Sequence, residues 1–434
     1  MFKLKRVPVQ VELLLIVFQQ FFNDYQWLHF KSILLALLVT PYRATLSGMV
    51  KILSFGSHRS KHNEFLNDCS IILSKVLKLY AMLILQLLKK SDEAIYFIID
   101  DTTNKKRGKH IIAAFNLFEH TSKQYIWGQQ LVCAVIEYRE IVIPFAIEIY
   151  VPKESVKTIG NSPKESGNPS LRDIRTFKKK TIIASEILME FEADEKQSAE
   201  GGVFVVADTY YACPPIFTLC RQRKYNFVSM LKTNRVLYLD NPASGTAKQM
   251  NVKQYTKRYF NRRNKNRIIR IGLNKYRVYS QKAVLKSGGA VKLVCTRNTS
   301  HSTVKVIFTT NAALPIESIL TAYQKRWSIE VFFKMSKQYL GLRSYQNRNL
   351  KAVESAVRLS LISYNLLTHV FIEEKRAQGK RLTEKNLAQF SVLSMRDHFR
   401  QIAMSDSIEY CLEQNINKSK NTLVKNIKNL LLVA

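Results

Sequence analysis

Through the first 90 residues, apolar positions recur three and four apart, the spacing of helices that turn one stripe to a core. "SILLALLV" (32–39) and "KVLKLYAMLILQLLKK" (75–90) are the most apolar of these stretches. Between them a Gly56-Ser57 break is followed by His58, Arg59, Lys61 and His62. That arrangement fits a helix–turn–helix whose second helix, near 59–68, meets DNA, and it also fits a plain helical hairpin. The period changes near residue 95. "AIYFIID" (94–100) is a short β-branched and aromatic run ending in Asp100-Asp101, followed by the basic loop "KKRGKH" (105–110). "QLVCAVIEY" (130–138) and "EIVIPFAIEIYVP" (140–152) predict two strands joined by a tight turn near Arg139. A polar segment (153–170) follows as a loop, then an amphipathic helix (173–193) and a buried-type strand, "GGVFVVAD" (201–208), ending in Asp208. Residues 214–224 predict a helix with proline near its start, and 225–232 a strand.

Antiparallel strands followed by alternating helices and strands predict an α/β fold with a mixed sheet. Residues 233–310 alternate without a long helical pattern and turn at Gly288-Gly289, so they predict a β-rich insertion. Within 253–270 basic residues interleave with Tyr255, Tyr259 and Phe260, a pairing of charge and stacking rings suited to nucleic acid. Beyond "VKVIFTTNAALPIESIL" the chain is helical, with a broad apolar face over 352–374 and a basic amphipathic helix over 417–434. The expected divisions are a helical region with the helix–turn–helix candidate (1–90), a first mixed α/β part (91–232), the insertion (233–310), a second part with one helix (311–350) and a helical C-terminal region (351–434).

Charge narrows the partner. The 434 residues carry 67 Lys plus Arg against 33 Asp plus Glu, a formal charge of +34, which calls for a polyanion. A membrane surface is the competing polyanion, but no apolar run reaches the ~18–20 residues that span a bilayer. The basic start, "MFKLKRVPVQ", lacks a clear cleavage site, so no signal peptide is expected. The six cysteines form no C-x-x-C pair and the eight histidines no metal-ligand spacing, so any metal should be a hard cation held by carboxylates.

The helix at 322–342 offers such a carboxylate. Tyr323, Arg326, Glu330 and Lys337 stand at offsets 0, 3, 7 and 14 and fall within roughly 60° of one face. Trp327, Val331, Phe332, Met335, Tyr339 and Leu342 take the adjoining arc, expected to face a core. A solvated stripe with one Arg326–Glu330 pair is the plain alternative. Asp101 and Asp208 each follow a strand, where sites gather in α/β sheets. If the fold unites Asp101, Asp208 and Glu330, their repulsion calls for divalent cations. Two Mg²⁺ ions ~4 Å apart would activate a water or a 3′-hydroxyl and stabilise the leaving oxygen of a phosphodiester. Arg326 and Lys337 would hold phosphates, and Tyr323 would hydrogen-bond or stack.

The pattern Y-x-x-R-x-x-x-E-x-x-x-x-x-x-K, from Tyr323 to Lys337, resembles the signature helix of DDE transposases of bacterial insertion sequences, in the family numbered four. "IDDTT" (99–103) and "VFVVADTYY" (203–211) are similar to that family's first and second acidic motifs. The resemblance implies an RNase H-like catalytic domain with a β-rich insertion. It implies Mg²⁺, with Mn²⁺ as a substitute, double-stranded DNA (terminal repeats and target) as partner, and a homodimer on the DNA ends. It also implies a cytoplasmic, nucleoid-associated protein that cleaves element ends and transfers 3′-OH ends to a target. By the motif match the metal-binding and catalytic set is Asp101, Asp208 and Glu330, with Tyr323, Arg326 and Lys337 as DNA-binding residues. Asp100 stays open as the first ligand, because a one-residue slip reverses a strand's faces. Some members stack a tryptophan of the insertion on a flipped base. Here none lies in 233–310, and Tyr259 is the candidate substitute. A nuclease without strand transfer and a non-catalytic DNA-binding protein are the alternatives.

Overall fold

The computed structural model describes residues 3–40, 43–54, 58–90, 93–108, 110–119, 122–153, 155, 177–193, 202–239, 248–260, 266–286, 288–300 and 303–414. The tail helix expected at 417–434, most of the 153–170 loop and the Gly56-Ser57 break lie outside them.

One mixed sheet organises the molecule. β1 (Ile95–Lys105) is its pivot, antiparallel to β3 (Gln124–Tyr138) and parallel to β5 (Val203–Ala207). β3 also pairs with β2 (Phe115–Glu119) near its start and β4 (Ile141–Tyr150) near its end. β5 runs parallel to β6 (Asn226–Met230). The order β4-β3-β1-β5-β6, antiparallel and then parallel, is consistent with an RNase H-like DDE fold. The strands of 233–310 do not form a separate sheet. β12 (Lys305–Thr309) pairs with β6, and through β11 (Gly289–Asn298) and β10 (Asn274–Leu285) the same sheet extends to β9 (Arg267–Ile271), β7 (Val236–Tyr238) and β8 (Gln249–Asn251).

Local chemistry explains several of these elements. The β3–β4 turn puts Arg139 and Glu140 at φ of 52° and 66°, the two positive angles of a hairpin turn that non-glycine residues rarely adopt. Arg139 is tied down there, since its Nη1 donates to Leu88 O at 3.0 Å and its Nε sits 3.0 Å from Glu93. β1 runs past the predicted run to Lys105 because its later residues keep pairing with β3 as far as Gly128. A Cβ at Gly128 would lie 2.7 Å from Asn104 O, so that crossing requires glycine.

The helices of seven residues or more are α1 (Val9–Leu15), α2 (Asp24–Val39), α3 (Arg59–Asp68), α4 (Ser70–Leu88), α5 (Lys180–Met189), α6 (Pro214–Gln222), α7 (Ile316–Lys325), α8 (Trp327–Tyr339), α9 (Leu350–Ala377) and α10 (Val392–Glu413). α9 packs on α4 and β4 and is buried along most of its length. Arg358 on α9 donates twice to Glu148 of β4, at 2.8 and 3.0 Å, and to Ser70 of α4 at 2.6 Å. One nitrogen of the buried guanidinium thus reaches both Glu148 oxygens, and the pair fixes the register of helix against sheet. α4 and α9 are each long and apolar enough to cross a membrane by length and composition. That corrects the count of uninterrupted apolar runs, which overlooked helices punctuated by serine and lysine. In the fold α9 is almost wholly covered by other elements.

Three sequence expectations change. The predicted helix over 173–193 is helical among the described residues from Lys180 to Met189, and Phe191 beyond it turns into the core, 4.5 Å from the Phe97 ring. His62 does not face outward with Arg59 and Lys61. It is buried, with its Nδ1 2.8 Å from Nδ1 of His29 on α2. Tyr255 and Phe260 are buried and so serve packing within the insertion, whereas Tyr259 is half-buried and lies parallel to Tyr279 at 6.2 Å.

Candidate active site

β1 and β5 run in register, Ile99 opposite Ala207, so the next residues, Asp100 and Asp208, stand abreast where β5 ends. Neighbouring strands lie ~4.8 Å apart. Strand alternation sends Asp100 and Asp101 to opposite faces. Asp100 turns toward the α7–α8 side, where Arg326 Nη1 donates to its Oδ2 at 2.9 Å. The other arm of the same guanidinium donates to Glu330 Oε1 at 2.6 Å. A first-strand aspartate and a helix glutamate, 230 residues apart, thus share one cation. Burial pushes the Asp100 carboxyl up to about 7; Arg326 opposes this, while the charges of Asp101 and Asp208 add to it.

The helix carrying Glu330 is not continuous. Regular helix stops at Lys325 and resumes at Trp327, with Arg326 between them at φ −53° and ψ −31°. The buried face of α8 differs from the arc expected over 322–342. Ile329, Phe332, Phe333 and Ser336 are buried, whereas Trp327, expected in the core, is 63% exposed, and Val331 is exposed too. Tyr323 stays near the acids; burial raises its phenol, Arg326 opposes, and Asp208 and Asp100 add.

Residues 17–284 match the family described as DDE superfamily endonuclease. The chain belongs to that family. No curated protein matches it. The matched span contains Asp100, Asp101 and Asp208 and ends before Glu330. Membership in the DDE superfamily endonucleases gives DNA as the substrate class and makes divalent metal ions such as Mg²⁺ the ions generally used.

Other candidates in this endonuclease sit differently. Asp101 is held by Lys180 Nζ at 2.8 Å and by the side-chain amide of Gln130. Lys337 points along α8 to Thr103, where its Nζ donates to the backbone oxygen at 2.8 Å. Burial, and next Arg343, push its amine down to about 8. Lys180, Gln130 and Tyr211 escaped the sequence reading. Tyr211 is fully buried, and its phenol is held above the usual range by burial, then by Asp101 and Asp100. Only the "KKK" run at 178–180 hinted at a cation near the acids. A cavity of about 660 Å³ opens beside Asp208, lined by Thr209, Tyr210, Lys232, Arg235 and Lys286. Among the described residues no group of three or more His, Cys, Asp or Glu side chains is gathered to hold a metal ion. Asp100 and Glu330 face the Arg326 guanidinium between them.

Proposed function

We propose that this endonuclease is a DNA transposase of the insertion-sequence-four kind, which cleaves element ends and transfers 3′-OH ends to target DNA. The observation that carries the reading is the single guanidinium shared by Asp100 and Glu330, with Asp208 abreast of Asp100. The four signature residues from Tyr323 to Lys337 support the same reading.

Asp100, Asp208 and Glu330 are the residues that would hold divalent ions. Their oxygen donors suit Mg²⁺ or Mn²⁺. When bound, two such ions would activate a water or 3′-hydroxyl and stabilise the leaving oxygen. We assign Asp100 rather than Asp101 to this set, because Asp100 shares the Arg326 guanidinium with Glu330, whereas Asp101 pairs with Lys180. Asp101 then positions β1 against α5. Arg326, once it yields Asp100, would meet a phosphate with its planar fork, and Tyr323, whose phenol feels Arg326 and Asp208, would donate to it. The helical region 1–90 would add end recognition through the exposed Arg59 and Lys61. Joining two ends needs at least a homodimer.

The test is incubation with the DNA flanking the protein's own gene, plus Mg²⁺. Free 3′-OH ends at a repeat boundary, and their joining to a second DNA, are expected. No cleavage at any boundary would refute the reading. A nuclease without strand transfer is the second reading, favoured by the family's description as an endonuclease. Cut ends that never join would select it.

A further inference from the structure

A second and larger cavity, of about 1040 Å³, lies farther along β1 and α8, past Thr103 and Lys337. Separate pieces of chain build it. Arg43 comes from the segment after α2, Lys105, Lys106 and Arg107 from the end of β1, and Lys337, Arg343 and Arg348 from the last turn of α8 and the stretch beyond. Against these cations the cavity has one acidic lining residue, Glu119.

Two of the lysines are structural posts. Lys106 is buried; its Nζ donates to Tyr345 O at 3.0 Å and lies 3.2 Å from the centre of the Tyr345 ring. Lys337 is anchored on Thr103. Burial, followed by Arg43, pushes the Lys106 amine down to about 7. The side chains of Arg43, Lys105, Arg107, Arg343 and Arg348 make no ion pair or hydrogen bond among the described residues. A fold that gathers like charges in one concavity and leaves them unpaired bears the repulsion unless a polyanion enters.

We propose that this cleft seats the DNA phosphate backbone beside the cleaved bond, an inference that rests on the endonuclease reading above. The distances fit. Lys337 is two turns beyond Glu330, ~10 Å along the helix, and Lys105 is five residues beyond Asp100, ~17 Å along the strand. Phosphates of one strand advance ~3.4 Å per nucleotide along the duplex axis, so contact begins about three nucleotides from the bond that is cut. Arg43 brings the helical region to the same backbone, and Lys106 acts as a positioning residue that holds the Arg343 segment at the rim.

The experiment measures metal-free binding of the full chain to a duplex of its flanking DNA over a range of salt. The combined variant Arg43→Gln, Lys105→Gln, Arg107→Gln and Arg348→Gln should bind at least about tenfold more weakly and flatten the salt slope by about 3.6, at ~0.9 per lost phosphate contact. Its Tm without DNA should equal or exceed that of the wild type, because like charges have been removed. Should that variant fold poorly, the pair Lys105→Gln and Arg348→Gln should flatten the slope by about 2. A wild type that binds and cuts, beside folded variants with unchanged affinity and slope, would overturn the cleft and spare the endonuclease reading. Variants that lose binding, beside a wild type that binds DNA but never cuts it with Mg²⁺, would sustain the cleft as a backbone site and overturn the catalytic reading.

Discussion

The acidic site and the basic cleft share two elements, β1 and α8, and treat charge in opposite ways. At the site, Asp100 and Glu330 divide one guanidinium and Asp101 takes Lys180. In the cleft, five arginine and lysine side chains stand together with no carboxylate on any of them among the described residues. Charges a few ångströms apart in a partly desolvated place interact by several kcal/mol at most once screened, enough to decide what a protein tolerates. A site that neutralises itself folds without its ligand and must give up a contact to react. A cleft that does not neutralise itself advertises the charge of what it binds.

Variants can break this contrast. The largest effect is expected from Asp208→Asn, which should lower cleavage by roughly 10²–10³-fold or more, as for removal of one main electrostatic group, while metal-free DNA binding is kept. Near-normal cutting would exclude Asp208. Paired assays of Asp100→Asn and Asp101→Asn come next. The first should lower cutting by up to as much as Asp208→Asn does and the second only weaken it; the reverse order would restore the motif-based assignment of Asp101. Arg326→Ala should be milder in binding, flattening the salt slope by about 0.9 if its fork meets one phosphate; an unchanged slope would confine Arg326 to holding Asp100 and Glu330.

The smallest effects are on stability against pH, and here the two regions should slope oppositely. The folded protein holds the Asp100 proton up to about 7, whereas an unfolded aspartate releases it near ~3.9. The native state thus binds more protons across that window, and stability falls as pH rises through it. Lys106 and Lys337 are held down to about 7 and about 8, below the ~10.4 of a free lysine. There the unfolded chain binds more protons, so stability rises with pH over the alkaline window. Melting curves without DNA should show the acid-side decline flattened in Asp100→Asn and part of the alkaline rise removed in Lys337→Met. Parallel curves for wild type and variants would deny both shifts.

Much of the frame was legible in the chain, because strands such as 94–100 and 201–208 are short β-branched runs closed by aspartates. What escaped depends on contacts across the sequence. The reach of Arg326 to an aspartate 226 residues away leaves no trace in the apolar period. The buried face of α8 runs through Ile329, Phe332, Phe333 and Ser336, which leaves Trp327 on the solvent side. β2 is a modest run that becomes a strand only because β3 is long enough to pair on both sides. The rings at 255–260 looked like a stacking surface because spacing in sequence carries no information on burial. The basic cleft was invisible, as its cations come from three distant segments.

The central claim is that Asp100, Asp208 and Glu330 form one seat for divalent ions once Arg326 yields. Titrating Mn²⁺ into metal-free protein, followed by electron paramagnetic resonance, tests it apart from any cleavage. The account expects saturable binding in the wild type and a clear loss of affinity in each of Asp100→Asn, Asp208→Asn and Glu330→Gln. Unaltered Mn²⁺ binding in folded Glu330→Gln would contradict it.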